Sequence, residues 1–62
     1  MYIAKYTKSD GSVVFLKRVG SDVEQTHDRE QATRYGTERE AFGAFLIGGR
    51  DYGRGEKSVE LA

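Results

Sequence analysis

The side chains that could do chemistry lie in three short stretches. His27 stands beside Asp28 and close to Glu24 and Glu30, and imidazole with carboxylates is the usual partnership for a metal ligand set or a general base. The spacing supports neither. One histidine with carboxylates one and three residues away forms no metal-binding pattern, and an ordinary surface histidine accounts for it. Ser21, Asp22 and His27 can be written as a nucleophilic triad, yet no Gly-x-Ser-x-Gly elbow or oxyanion loop accompanies them, and 62 residues leave little room for a substrate cleft. No catalytic residue, metal ligand or cofactor-binding residue is assigned, and the chain is read as a non-enzyme.

Gly53-Arg54-Gly55-Glu56-Lys57-Ser58 has the composition of a phosphate-binding loop. It fails on spacing and context. That motif needs glycine immediately before lysine and lies between a strand and a helix, whereas Glu56 intervenes here and the stretch follows a helix pattern and opens a strand pattern. The overlapping loop that contains Arg50, Tyr52 and Arg54 has the arginine and tyrosine mixture of RNA-contacting segments, where arginine pairs with phosphate and tyrosine stacks on bases. Its glycines equally suit a simple chain reversal. As a contact loop it fits a protein partner better than nucleic acid, because tyrosine and arginine dominate interface energies and ten basic residues balance ten acidic ones. The acidic cluster Glu24, Asp28, Glu30, Glu38 and Glu40 is interrupted by Arg29, Arg34 and Arg39, as on a solvated, internally paired face.

Residues 1–62 make one small domain, and a chain this short buries only about 60 % of the surface its unfolded form exposes. With no cysteine and one histidine it has neither a disulfide nor a metal staple, so an aromatic and aliphatic core must hold it. Met1 leads directly into a strand-like pattern and the longest apolar runs are four residues. No signal peptide or membrane span is expected, and the default location is cytoplasmic.

The elements that must position these residues are legible from patterning. Tyr2 to Lys8 and Ser12 to Val19 are β-branched and aromatic runs separated by Asp10-Gly11, which predicts a hairpin closed by a two-residue type I′ turn. Val23 to Thr26 reads as a short third strand. Asp28 with Gln31, and Thr37 with Glu40, each fit a capping box, predicting one helical turn over Asp28 to Ala32 and a main helix from Glu38 to about Ile47. Ala41, Phe42, Phe45 and Leu46 form its apolar stripe, Gly48-Gly49 stops it, and Lys57 to Leu61 alternates as a closing strand. The expected fold class is α+β, in ββ(β)αβ order, with a small antiparallel sheet of the N-terminal hairpin and the C-terminal strand packed on one helix.

A two-residue turn places Ser9 opposite Ser12, Tyr6 opposite Phe15 and Tyr2 opposite Val19. Tyr2, Ala4, Tyr6, Val13, Phe15 and Val19 then share the core face, and Ile3, Val14 and Leu16 share the other with Lys5, Thr7 and Arg18. Three aliphatic side chains on the spare face call for a cover, either a dimer mate or target protein, or the short third segment or chain end folding over it. Ile3, Val14, Leu16, Arg50, Tyr52 and Arg54 are accordingly the candidate partner-binding residues.

The positions Thr26-x-Asp28-x-x-x-Ala32-x-x-Tyr35-x-Thr37-x-x-Glu40-Ala41, preceded by Phe15-Leu16, give residues 13 to 42 the look of very small ββαβ-type proteins of bacteriophages and mobile elements. In size and style the chain is similar to phage accessory proteins such as anti-CRISPR inhibitors. The resemblance implies a stoichiometric inhibitor that occupies a surface of a host defence or regulatory protein without catalysis. It rests on cap and core positions, so it transfers no functional residue. The alternatives are a small nucleic-acid-binding accessory protein, disfavoured by the zero net charge, and a structural homodimer.

Overall fold

The computed structural model describes residues 1–49 and 52–62. Four antiparallel strands, β1 (Tyr2–Thr7), β2 (Val13–Val19), β3 (Asp22–Thr26) and β4 (Glu56–Leu61), form one sheet in the order β3-β2-β1-β4. A helix, α1 (Glu38–Gly43), continues as a 3₁₀ segment over Ala44–Gly49 and packs on one face. The expected α+β architecture and element order are therefore present.

The hairpin register differs from the expectation by one residue. Lys8 donates its amide to the Ser12 carbonyl at 2.8 Å, and Gly11 donates to the Lys8 carbonyl at 2.9 Å, so the loop is Ser9-Asp10-Gly11 and three residues long. A type I′ turn needs positive φ at both central residues, but only Gly11, at +91°, has it, and Asp10 does not. Asp10 instead accepts from the Ser12 amide at 2.9 Å and the Ser12 hydroxyl at 2.7 Å. Those bonds hold its carboxyl below the ordinary carboxylate pKa. Asp-Gly suits this turn followed by a left-handed glycine as well as it suits a two-residue turn. Tyr6 now lies opposite Val14 and Lys5 opposite Phe15.

Because side chains alternate with period two, that slip moves all of β2 to the other face relative to β1. Val14 and Leu16 join Ala4 and Tyr6 beneath the helix, with Val23, Ala44, Phe45 and Tyr52 completing the main core. Phe45 meets the Tyr52 ring edge-on at 5.3 Å, and Tyr52 lies 5.2 Å from Tyr6. Ile3 and Phe15 occupy the opposite face, covered by Ala32 in a second, smaller core against which Val13 packs. The cover comes from the segment after β3. Asp28 caps a 3₁₀ turn (Arg29–Gln31) by accepting from the Glu30 amide at 3.0 Å. The chain then wedges into the sheet where β1 and β2 part, with Thr33 donating to the Leu16 carbonyl at 3.1 Å and Tyr2 and Tyr35 exchanging two bonds of 2.8 Å. Burial raises the Tyr35 phenol above its ordinary pKa, with Arg18 acting in the opposite direction.

The start of α1 follows from its sequence. The Thr37 hydroxyl accepts from the Glu40 amide at 3.2 Å and donates to the Glu40 carboxylate at 3.1 Å, and Glu38 and Glu40 suit the positive end of the helix. Thr37→Ala is expected to lower stability by about 1 kcal/mol, read as a shift in urea midpoint at constant slope. The helix face departs from the expected stripe. After Gly43 the helix tightens to three residues per turn, so the positions facing the sheet become Ala41, Ala44 and Ile47 at strict three-residue spacing, together with Phe45. Phe42 and Leu46 are rotated outward, 46 % and 77 % exposed.

Candidate protein-contact rim

Of the six residues named as partner-binding, the five that are described do not form one surface. Val14 and Leu16 are fully enclosed under the helix, and Ile3 is enclosed on the other side against Phe15 and Ala32. The spare face inferred from the two-residue turn mixed residues from both sides of the sheet, and none of the three reaches solvent. Tyr52 is also core, its ring held between Tyr6 and Phe45, with the Lys57 ammonium 5.8 Å from its centroid. Arg54 is exposed in the turn that leads into β4. Arg50 lies outside the described residues. Tyr52 therefore anchors the loop instead of presenting it.

The residues weighed for catalysis are also separated. Asp22 turns its carboxylate onto the Val23 amide at 2.7 Å. Ser21 precedes β3 and His27 follows it, so the five-residue strand, about 16 Å long, holds them apart. The His27 ring sits 3.2 Å from the Val13 carbonyl. Among the described residues no cluster of three or more His, Cys, Asp or Glu could hold a metal ion, and no helix is long and apolar enough to cross a membrane.

What the fold leaves open is the rim where α1 overhangs β4. A groove of about 600 Å³ runs there, lined by Glu38, Arg39, Phe42, Gly43 and Leu46 from the helix side and by Ser58 and Val59 from the strand. Phe42 and Leu46 form its apolar wall. Phe42 is tilted against Phe45, 5.5 Å between centroids, so its inner edge is fixed while its outer edge meets water. Gly43 contributes no side chain to the groove, and a Cβ there would touch nothing. Leu61, 66 % exposed, extends the same face of β4, because Lys57, Val59 and Leu61 share the helix side by alternation.

The groove borders an open sheet edge. Among the described residues β4 pairs only with β1, in a register running from Tyr2 opposite Leu61 to Thr7 opposite Glu56. The Ala62 amide donates to the Met1 carbonyl at 2.8 Å, which fixes the phase of the ladder. Antiparallel partners alternate between bonded and non-bonded pairs, so Glu56, Ser58 and Glu60 bond inward to β1, and Lys57, Val59 and Leu61 turn their amides and carbonyls outward. Exposed edges invite pairing with another chain unless they are blunted. Here the blunting is partial. Arg29 reaches across the back of the sheet, 3.7 Å from the Glu60 carboxylate, and donates to the Leu61 carbonyl at 2.7 Å. Lys5 holds the other Glu60 oxygen at 3.7 Å. The Lys57 and Val59 stretch carries neither proline nor a bulge.

Periodicity at 3.6 residues hid this rim by assigning Phe42 and Leu46 to the core. The signal that locates it is the spacing of small residues. Ala41 and Ala44, three apart, let the chain approach the sheet closely, and that choice turns the bulkier Phe42 and Leu46 outward. No family model, curated protein or solved structure matches the chain.

Proposed function

We propose that this chain is a non-catalytic protein-binding module that works by occupying a surface, and that its contact surface is the rim formed by Phe42, Leu46 and the open edge of β4. The observation that carries this reading is the juxtaposition of two large exposed apolar side chains with unpaired strand groups on one side of so small a fold. Another polypeptide answers both needs at once, because an added strand satisfies the edge and its alternate side chains fill a neighbouring apolar groove. The class of partner follows from the resemblance to phage accessory proteins: a host defence or regulatory protein, which the module would inhibit stoichiometrically. Nucleic acid is the poorer fit. The two charged residues that line the groove, Glu38 and Arg39, are of opposite sign, β4 also carries both signs in Glu56, Lys57 and Glu60, and the chain as a whole is neutral.

The test is affinity capture from a bacterial host lysate with the wild type, Leu46→Glu and Arg54→Ala, followed by mass spectrometry. Leu46→Glu is expected to abolish capture while leaving the melting curve within about 0.5 kcal/mol of wild type, because the side chain is mostly in water. Arg54→Ala should capture as the wild type does. Binding should change little with salt, whereas phosphate contacts would give a slope of about 0.9 per contact on duplex DNA. Submicromolar, salt-steep binding of DNA or RNA lost in Arg54→Ala would overturn the reading.

A further inference from the structure

The open edge carries a pattern that suits pairing with itself. A second β4 laid antiparallel to the first keeps its ladder only where outward groups meet outward groups, so the pairing must be centred on a single residue between Lys57 and Leu61. Charge distinguishes these registers, because like charges directly opposite destabilise a pair. Centred on Lys57, two ammonium groups oppose each other. Centred on Ser58, Glu56 of each copy opposes Glu60 of the other, and centred on Glu60 the two carboxylates meet. Centred on Leu61, only the last residues overlap. Centred on Val59, valine meets valine, Lys57 meets Leu61 and Ser58 meets Glu60, with no like charges opposed.

We propose that, in the absence of another partner, this protein is a homodimer formed by antiparallel pairing of two β4 strands about a two-fold axis at Val59. The inference rests on the reading of the rim as a protein-contact surface and names its resident occupant. Opposed residues in an antiparallel pair project to the same side, so both helices lie on one face of a continuous eight-stranded sheet. Val59 is a wall of the groove, and placing the axis there brings Phe42 and Leu46 of each copy toward those of the other. The Leu61 carbonyl, already bound by Arg29, keeps a second lone pair for the opposing Lys57 amide. A stable dimer buries about 800 Å² per partner, a fifth of this chain's 4076 Å². With about 20 Å of paired edge, this contact is small, and the association depends on concentration. A target that uses the rim competes with the mate.

Sedimentation equilibrium from micromolar to millimolar protein tests this. The wild-type mass is expected to rise toward twice 6.9 kDa. Leu61→Lys sets lysine opposite Lys57 at both ends of the pairing and should weaken association about tenfold, from two like-charge pairs per dimer. Adding Lys57→Glu to it should restore wild-type association. Leu61 is exposed, and circular dichroism checks that each variant is folded. Val59→Cys should oxidise to a covalent dimer, because bonded antiparallel partners stand about 5.5 Å apart at Cα, within disulfide reach, while Arg54→Cys should not. A monomer at every concentration overturns the dimer, and if that monomer still loses lysate capture on Leu46→Glu, the rim reading stands without it. A dimer indifferent to Leu61→Lys and uncrosslinked by Val59→Cys uses another surface and also overturns the proposal.

Discussion

Leu16→Glu is expected to abolish cooperative folding. Leu16 is 0 % exposed, in the middle of β2 beneath Ala44 and Phe45, and its neighbours offer a carboxylate no partner. Truncation to alanine alone costs about 2–5 kcal/mol at such a site, and burying an unpaired charge adds several more. At about 0.05–0.15 kcal/mol per residue, the total stability of a chain this size is about 3–9 kcal/mol. The substitution therefore exceeds what the domain can lose. Urea titration followed by circular dichroism should show no transition, while Leu46→Glu, the same change on the rim, melts as the wild type does. A folded Leu16→Glu protein with an unshifted midpoint would put Leu16 on the surface and restore the two-residue turn.

Gly55→Ala is expected to cost about 2–4 kcal/mol although it adds one methyl group. A Cβ at Gly55 would overlap the Tyr6 ring and hydroxyl and the Thr7 carbonyl. The Gly55 amide donates to the Tyr6 hydroxyl at 2.9 Å, which is why the backbone approaches so closely. Thr7 pairs with Glu56 in the β1–β4 ladder, so its carbonyl cannot move without displacing β4. Overpacking costs about 1–3 kcal/mol and the lost hydrogen bond about 0.5–1.5 kcal/mol. Tyr6→Phe removes the hydroxyl, one of the three overlapping atoms, so the double variant should lose less than the sum of the single ones. A neutral Gly55→Ala would mean that the loop before β4 does not rest on Tyr6.

How much of this was legible in the sequence depends on the range of the interaction. The strands, the third segment, both caps and the stop after Ile47 are local matters of propensity, capping chemistry and glycine, and they fall within a residue or two of the reading. The face of each strand is not local. It hinges on whether Asp10 adopts positive φ, and the two turns that Asp-Gly accepts differ by one residue, which exchanged Val14 and Leu16 for Val13 and Phe15 in the main core. The rim was hidden for a similar reason. A change from 3.6 to three residues per turn is set by how closely Ala41 and Ala44 approach the sheet, and that contact is tertiary. Tyr52 was read as a contact residue because it stands between Arg50 and Arg54 in a mixture typical of contact segments, yet it closes the core between Tyr6 and Phe45. The cover over Ile3 and Phe15 came from Ala32 in the segment after β3, whereas the sequence had offered the short third strand or the chain end.

The most direct test of the rim is amide hydrogen exchange along β4. In dilute protein the outward amides of Lys57 and Val59 should exchange fast while the inward amides of Ser58 and Glu60 are protected by β1. When the rim is occupied, by captured target or by a second copy at millimolar concentration, Lys57 and Val59 should become protected and the amides of β3, on the opposite edge, should not change. Protection that appears on β3 or on the 28–33 segment while Lys57 and Val59 stay fast would contradict the account.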